Sequence, residues 1–281
     1  MNNLTNYHSH TSFCDGKAPM EAFIAEAVRQ GFTSYGVSSH APLPFRTRWT
    51  IDDREQTGLY LQEFARLKRL YGDRIELYVG LEIDYMDEDQ QPANDYFQSL
   101  PLDYRIGSVH LLHSTQGEIV DIDTRPEVFR EHVRLHLGGD LKRVVLAYFD
   151  KLMRMIGRDG FDFIGHADKI SYNVSCCEPD ILGQQWYKDK ISEYFTFIAE
   201  KGAMIEVNTK TLHRNGFLYP NKEHFGLIRT LGIPVVVNSD AHLPELINSG
   251  RPEALRLLKA SGIGAVWQLE RGVWTEVPIG E

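Results

Sequence analysis

The sequence predicts an α/β fold, a TIM-like barrel or a distorted form of it, on three observations. Strand-like and helix-like segments alternate along most of the 281 residues. Roughly seven strand–helix units can be recognised, close to the number in a TIM barrel. The rival fold, an open doubly wound sheet, usually has a glycine-rich nucleotide motif after a strand, and the sequence has none. We therefore expect one domain spanning residues 1–281.

The first half of the chain contains four of the predicted strands. A short strand at residues 6–9 precedes the helix PMEAFIAEAVRQ, in which Pro19 suits the first turn and Gly31 the end. Next come the strand SYGVSSH, a helix within IDDREQTGLYLQEFARLKRLYG, the strand ELYVGLEID, the helix ANDYFQSL and the strand DYRIGSVHLL. Residues 114–140 break this alternation, and we predict an insertion there with some helix.

The alternation resumes in the second half. The predicted order is helix LKRVVLAYFDKLMRMIG, strand FDFIGHADK, helix WYKDKISEYFTFIAEKG, strand AMIEVNT, helix NKEHFGLIRTLG, strand IPVVVNSDAH and helix PEALRLLKASG. We predict loops at residues 171–184 and before Pro220. The tail IGAVWQLERGVWTEVP is typical of a strand or a hairpin.

Composition excludes several classes of protein. The formal net charge is −9, which disfavours a general nucleic-acid binder. The three cysteines are an odd number, and two of them are adjacent, so a disulfide framework is not expected. The N-terminal segment lacks an apolar signal region, and no apolar run is long enough to span a bilayer. We expect a cytoplasmic protein with no membrane and no nucleic-acid partner.

Side chains that bind metals stand at the end of nearly every predicted strand. They are His8 and His10 after the first strand, His40 in GVSSH, Glu82 in YVGLE, His110 in GSVH, His166 in FIGH, and Asp240 and His242 in VVVNSDAH. The carboxyl ends of parallel barrel strands meet at one face, so these groups should share one cleft. Carboxylates crowded there without a cation would resist ionisation. Imidazole and carboxylate together suit zinc, iron or manganese.

The segment YHSHTSFCDG shows how two ions could lie side by side. Residues i and i+2 of a strand point to the same face, so His8 and His10 can bind one ion together. Asp15 lies beyond the strand and can serve a neighbouring ion. A lone histidine pair of this kind belongs more often to a protein core. The repetition at many strand ends is what favours a metal centre.

Seven motifs, taken in order, resemble those of a known family. YHSHTSFCDG, GVSSHAPLP, GLEID, IGSVH, GHADKI, EVNT and NSDAH are similar to the histidinol-phosphate phosphatases of the polymerase-and-histidinol-phosphatase (PHP) superfamily. The resemblance extends from Tyr7 to His242. It implies a distorted seven-stranded barrel with a site for two to three divalent ions, which could be zinc, iron or manganese.

The resemblance also implies a division of the ligands among three ions. The first ion would be held by His8, His10, Glu82 and Asp240, the second by Glu82, His110 and His166, and the third by Asp15, His40 and His242. Glu82 would bridge the first two ions. Glu82, Asp240 and His242 are the candidate catalytic residues. The implied reaction is hydrolysis of L-histidinol phosphate, a small phosphorylated substrate, in histidine biosynthesis.

Basic residues just beyond the strand ends could hold the phosphate of a substrate. The candidates are Arg46, Arg48, Lys169, Lys210 and Arg214. Each of them on its own is more often a solvated surface charge.

Three alternative functions remain open from the sequence. One is a phosphoesterase of the same superfamily that acts on nucleotides or nucleic-acid ends. Another is an amidohydrolase-like C–N hydrolase, although Glu82 stands where that class often has a bridging lysine. A non-catalytic metal-binding module is the third, and its closed sites would usually be rich in cysteine.

Overall fold

Seven parallel strands form the centre of the fold. The structure, a computed structural model, describes residues 3–280. Its strands are β1 (Thr5–Asn6), β2 (Ser34–Val37), β3 (Glu76–Asp84), β4 (Tyr104–Ser108), β5 (Leu111–His113), β6 (Ile119–Asp121), β7 (Phe163–Ile164), β8 (Met204–Asn208), β9 (Val235–Asn238), β10 (Ala265–Glu270) and β11 (Val273–Pro278). The main sheet has the order β1-β2-β3-β4-β7-β8-β9, and its neighbouring strands are all parallel.

The two edges of this sheet come together just beyond β1 and β9. The amide of His10 donates a 2.8 Å hydrogen bond to the carbonyl of Ala241, whose own amide donates to the carbonyl of His8 at 3.3 Å. The sheet is therefore a nearly closed barrel of seven strands, as the sequence predicts. The carboxyl ends of all seven strands open on the same side.

Helices surround the barrel. They are α1 (Met20–Gln30), α2 (Arg54–Tyr71), α3 (Asp95–Ser99), α4 (Pro126–Leu135), α5 (Leu141–Arg158), α6 (Ile170–Cys177), α7 (Gln185–Lys201), α8 (Leu212–Asn215), α9 (Phe225–Leu231) and α10 (Arg251–Ala260). Several of these helices begin and end at residues that commonly cap helices. Asp53 caps α2 by accepting a 2.9 Å hydrogen bond from the backbone N–H of Gln56, and α1 ends at Gly31 in the left-handed conformation.

The amino end of the barrel is closed by the hairpin of β10 and β11. The ring of Trp274 packs edge-on against Tyr7 at 5.3 Å and against Phe163 at 5.8 Å, measured between ring centroids. The indole N–H of Trp274 donates to Asp162 at 2.9 Å. With this end filled by aromatic side chains, the opposite end is left for polar groups.

The predicted loop at residues 171–184 is wrong. The segment contains most of α6 and a short 3-10 helix at Ile181–Gly183. Serine, asparagine, valine and cysteine are weak helix formers, so local propensity does not reveal α6. The helix is stabilised by packing, since Val174 is buried in the core and the Asn173 amide donates to the carbonyls of Ile122 and Thr124.

Two other segments contain more structure than the sequence indicates. Residues 114–140 contain the predicted helix as α4, but they also contain β6, which pairs with β5 as an antiparallel hairpin. The segment before Pro220, predicted as a loop, includes the single turn α8. No helix in residues 3–280 combines the length and apolar character needed to cross a membrane.

Candidate metal centre

The structure brings all nine predicted metal ligands together at the carboxyl end of the barrel. Buried members are His8, His10, His40, Glu82, His110, His166 and Asp240, while Asp15 and His242 are half-buried at the rim. Four overlapping groups have ligand atoms within 4.8 Å of one another: His10, Asp15, His40 and His242; His8, His10 and Glu82; His8, His166 and Asp240; and His40, Glu82 and His110. We call these nine residues the strand-end cluster.

Glu82 lies at the middle of the strand-end cluster, and its two oxygens face different histidines. Oε2 lies 3.1 Å from Nε2 of His8 and 3.4 Å from Nε2 of His10. Oε1 lies 2.8 Å from Nε2 of His166 and 3.5 Å from Nε2 of His110. One carboxylate thus faces both of the ligand sets that the family resemblance implies for the first and second ions.

Asp240 completes the first of these sets. Its Oδ1 lies 3.1 Å from Nε2 of His10 and 3.8 Å from Nε2 of His8. His8 and His10 present the same nitrogen of the ring to Glu82 and Asp240, as expected for residues i and i+2 on one face.

The third predicted set lies at the rim of the cluster. Nε2 of His242 is 3.2 Å from Oδ2 of Asp15, and Nε2 of His40 is 4.0 Å from Oδ1 of Asp15. His40 also directs Nδ1 towards Oε2 of Glu82 at 3.0 Å, and His10 directs Nδ1 towards Asp15 at 3.9 Å. His40 and His10 therefore connect the rim to the centre of the cluster.

Several buried ligand atoms in the cluster have no hydrogen-bond partner among residues 3–280. They are Nε2 of His8, Nε2 of His10, Oδ1 of Asp15, Nδ1 of His40 and Oε2 of Glu82. A buried polar atom without a partner is costly, and such atoms are rare unless a ligand satisfies them. These atoms face one another, and imidazole with carboxylate is a donor set for divalent transition metals. The residues therefore fit a metal centre.

Burial and neighbouring charges shift the pKa values of His8 and His10 in opposite directions. Burial disfavours the charged form of His8, but the carboxylates of Glu206 and Glu82 outweigh it and raise the pKa of His8 well above its usual value. Burial, together with the imidazole of His40, lowers the pKa of His10 well below its usual value. Without a cation, His8 therefore favours the charged form and His10 the neutral form.

The backbone is strained at two of the ligands. His166 has φ 31° and Asp240 has φ 48°, in the left-handed region that non-glycine residues rarely adopt. Such conformations cost about 1–3 kcal/mol and are found preferentially at functional sites. A Cβ on Gly165 would lie 2.5 Å from Oγ of Ser108 and would displace the hydroxyl that donates to Glu82, so glycine suits this position.

Three residues that the sequence analysis missed contact the ligands from behind. Asp84 accepts hydrogen bonds from the amide of His110 at 2.8 Å and from its Nδ1 at 3.1 Å. Glu206 lies 2.8 Å from Nδ1 of His8, and Ser108 donates to Oε1 of Glu82 at 2.7 Å. Asp84 could have been found from the sequence, because it stands two residues after Glu82 on the same strand face.

A cavity of about 150 Å³ lies over the cluster. It is lined by Asp15, His40, Trp49, His110, Asp121, Asp123, Lys210 and His242. The ring of Trp49 stands edge-on to His40 with centroids 4.9 Å apart. The cavity thus has ligands at its base, with an aromatic ring, two carboxylates and one ammonium group in its walls.

The five predicted phosphate-binding residues lie in different places. Lys210 lines the cavity, and its Nζ is 3.2 Å from Oδ1 of Asp240. Lys169 is buried, with its Nζ 3.0 Å from Asp123. Arg46 lines a separate cavity beside Asp89 and Tyr96.

The remaining two, Arg48 and Arg214, have exposed side chains and do not line the cavity described over the cluster. Among the five, Lys210 is the residue that reaches both the cavity and a predicted ligand.

Comparison with known proteins points to one family. A family model described as PHP domain matches residues 6–210. The chain is 26% identical over 281 residues to a probable histidinol-phosphatase of Schizosaccharomyces pombe, covering 94% of this chain and 89% of that protein. It is 25% identical over 251 residues to the histidinol-phosphatase of Bacillus subtilis, covering 84% of this chain and 92% of that protein.

Two solved structures share the fold. A candidate histidinol phosphatase from Listeria monocytogenes has a TM-score of 0.79 at 22% identity, covering 89% of this chain and 99% of that chain. The histidinol phosphate phosphatase of Lactococcus lactis, crystallised with zinc, L-histidinol and phosphate, has a TM-score of 0.69 at 17% identity. That comparison covers 97% of this chain and 99% of the other.

Proposed function

The chain belongs to the PHP domain family, and we propose that it is a metal-dependent phosphatase that hydrolyses L-histidinol phosphate to L-histidinol and phosphate. The observation that carries this proposal is the position of Glu82, with its two oxygens facing two different pairs of histidines. The curated relatives named histidinol-phosphatase, which align with nearly the full chain, support the choice of substrate. The product would serve histidine biosynthesis.

The contacts support the ligand sets that the family resemblance implies. His8, His10, Glu82 and Asp240 would hold one ion, and Glu82, His110 and His166 a second. Asp15, His40 and His242 would hold a third, with His10 close by. Divalent ions bound there would offset the charge of a phosphate ester and lower the pKa of water to near neutrality. Zinc, iron and manganese all suit these ligands.

The side chains around the ligands would keep the ligand nitrogens directed at the cavity. Asp84 holds the Nδ1 edge of His110 through contacts of 3.1 Å to both of its oxygens, so Nε2 faces Glu82. Ser108 donates to Oε1 of Glu82 and fixes the rotation of that carboxylate. Such outer contacts commonly set the orientation and basicity of ligating side chains.

The walls of the cavity would bind the rest of the substrate. The Lys210 ammonium could donate to a phosphate oxygen, a charge-assisted contact stronger than one between neutral groups. Asp121 and Asp123 offer negative charge to the protonated amine of histidinol. Trp49 would provide an apolar face and exclude water near the ester.

A substrate panel tests the proposal. Phosphate release from L-histidinol phosphate, AMP, p-nitrophenyl phosphate and a short 5′-phosphorylated oligonucleotide would be measured with the zinc-, iron- and manganese-loaded protein. We expect kcat/KM to be highest for L-histidinol phosphate. Higher values for AMP or the oligonucleotide would assign the chain to another branch of the family, even with the metal centre intact.

A further inference from the structure

Glu206 lies behind the strand-end cluster, on the one barrel strand whose end has no predicted metal ligand. It belongs to β8 and is fully buried. It takes part in none of the groups whose ligand atoms converge within residues 3–280. Burial of a carboxylate costs free energy unless the group is paired and hydrogen-bonded, so the partners of Glu206 must offset this cost.

Both oxygens of Glu206 are fully engaged by hydrogen bonds. Oε1 lies 2.8 Å from Nδ1 of His8 and accepts from the side-chain amide of Asn238 at 3.0 Å. Oε2 accepts from the backbone N–H of His166 at 2.8 Å and from the side-chain amide of Asn208 at 2.9 Å. Because each oxygen already has two polar partners, and Glu206 does not line the cavity over the cluster, we infer that it acts through its neighbours and is not itself a ligand.

The contact with His8 selects the nitrogen that faces the cluster. A carboxylate accepts hydrogen bonds but cannot donate them when ionised, so Nδ1 of His8 carries the proton in this contact. Nε2 is then the nitrogen that an ion can occupy in place of a proton, and it faces Glu82 and Asp240. In metal sites the partner of one ring nitrogen commonly fixes the tautomer of the ligating histidine.

The contact with His166 acts on the backbone. His166 has φ 31°, a conformation that is stable only when its surroundings enforce it. Its N–H is held by Oε2 of Glu206, and its imidazole then reaches Oε1 of Glu82 at 2.8 Å. Loss of this hydrogen bond would let the backbone relax and move the imidazole away from Glu82.

We propose that Glu206 is a positioning residue that fixes one ligand in each of the two central metal sites, His8 in the first and His166 in the second. A single buried carboxylate would then determine the metal affinity of both sites at once. This inference rests on the proposed metal centre and concerns binding of the ions, independently of which phosphate ester is cleaved.

Glu206→Gln tests the inference with little change in size. A glutamine amide has one oxygen and one NH₂ group, so it cannot accept hydrogen bonds on both sides. Either His8 or the backbone N–H of His166 would face a donor. The full-length protein would be equilibrated with zinc and a competing chelator of known affinity, and the zinc affinity would be read from that competition.

Asp162→Asn is the matched control. Asp162 also accepts a backbone N–H, that of Arg105 at 2.7 Å, and a side-chain N–H, that of Trp274, but it lies at the opposite end of the barrel. This variant can lower stability, but it should leave zinc affinity within about twofold of the wild-type value, since the effects of distant sites are independent.

We expect Glu206→Gln to weaken zinc binding at two sites by about tenfold or more, the usual effect of losing an outer partner of a metal ligand. Glu206→Asp, which keeps the charge but shortens the side chain, should weaken it by about three- to tenfold. It also keeps the test available if Glu206→Gln does not fold.

Wild-type zinc affinity in either folded Glu206 variant, or an equal loss in Asp162→Asn, would overturn the positioning role. An absence of zinc binding by the wild-type protein would instead reject the proposed metal centre.

Discussion

Oε1 of Glu82 lies 2.8 Å from Nε2 of His166, a residue 84 positions further along the chain. The two side chains meet because β3 and β7 both direct their carboxyl ends to the same face of the barrel. Oε2 of the same carboxylate faces His8 and His10. This arrangement, in which one carboxylate lies between two sets of imidazoles, is the basis of the predictions that follow.

Glu82→Gln should affect metal binding more than His40→Asn does. The glutamine keeps the size of the side chain but removes the charge and one of the two acceptor oxygens, so both central sites should lose affinity. His40→Asn should mainly affect the rim set with Asp15 and His242. We expect Glu82→Gln to lose most of its metal and nearly all turnover, and His40→Asn to keep more metal.

This difference is tested by measuring the metal content and the kinetics of both variants. Circular dichroism checks that each variant is folded. A folded Glu82→Gln protein with full metal content and near wild-type turnover would rule out a bridging role for Glu82.

The purified protein should contain two or three transition-metal ions per chain. The strand-end cluster forms four overlapping groups of ligand atoms, and buried atoms without a partner belong to His8, His10, Asp15, His40 and Glu82. Elemental analysis after purification without chelator measures the ratio. Trace metal only, with no uptake when zinc, iron or manganese is added, would contradict the ligand sets.

Lys210→Met should raise KM for L-histidinol phosphate by about tenfold, the effect of losing one hydrogen bond to a charged group. Lys210 lines the cavity over the cluster. Arg214→Met is the control, because that residue was an equal candidate from the sequence but has an exposed side chain.

Metal content must be measured in both Lys210 and Arg214 variants, since Lys210 also contacts Asp240. Equal KM values for the two variants at equal metal content would remove Lys210 from the substrate site.

Zinc affinity should increase as the pH is raised from 6 to 9. Burial lowers the pKa of His110, but Asp84 and Glu82 outweigh it, and the pKa rises to about 9 in the metal-free protein. Below that pH the imidazole holds a proton that zinc must displace, so binding releases protons and strengthens as pH rises towards 9. Above pH 9 this contribution disappears.

Calorimetric titration with zinc at pH 7 in buffers of different ionisation enthalpy measures the protons released. Asp84→Asn removes the main carboxylate partner of His110 and should reduce that number. Proton release that is zero at pH 7 would show that the imidazoles are already neutral.

The barrel and the clustered residues were predictable because every barrel strand except β8 is followed or ended by a residue that can bind a metal. The spacing of His8 and His10 places both side chains on one face of an extended segment, and topology then brings the strand ends together. Glu206 was not predictable in this way. It stands inside the apolar strand MIEVN, where a single carboxylate does not reveal which partners will surround it.

The helix α6 could not be predicted from the sequence for a similar reason. Its residues have weak intrinsic preference for helix, and the buried contacts of Val174 and Asn173 that stabilise it come from distant parts of the chain. The order of the ligands along the chain likewise could not show that His40 faces Glu82 as well as Asp15.

The most direct test of the account is phosphate release from L-histidinol phosphate by one protein preparation measured three times. The rate is measured for the protein as purified, after removal of metal with a chelator, and after addition of zinc, iron or manganese to the metal-free protein. The account predicts turnover in the first state, nearly none in the second, and recovery in the third with at least one metal. Undiminished turnover by protein that retains only trace metal would contradict it.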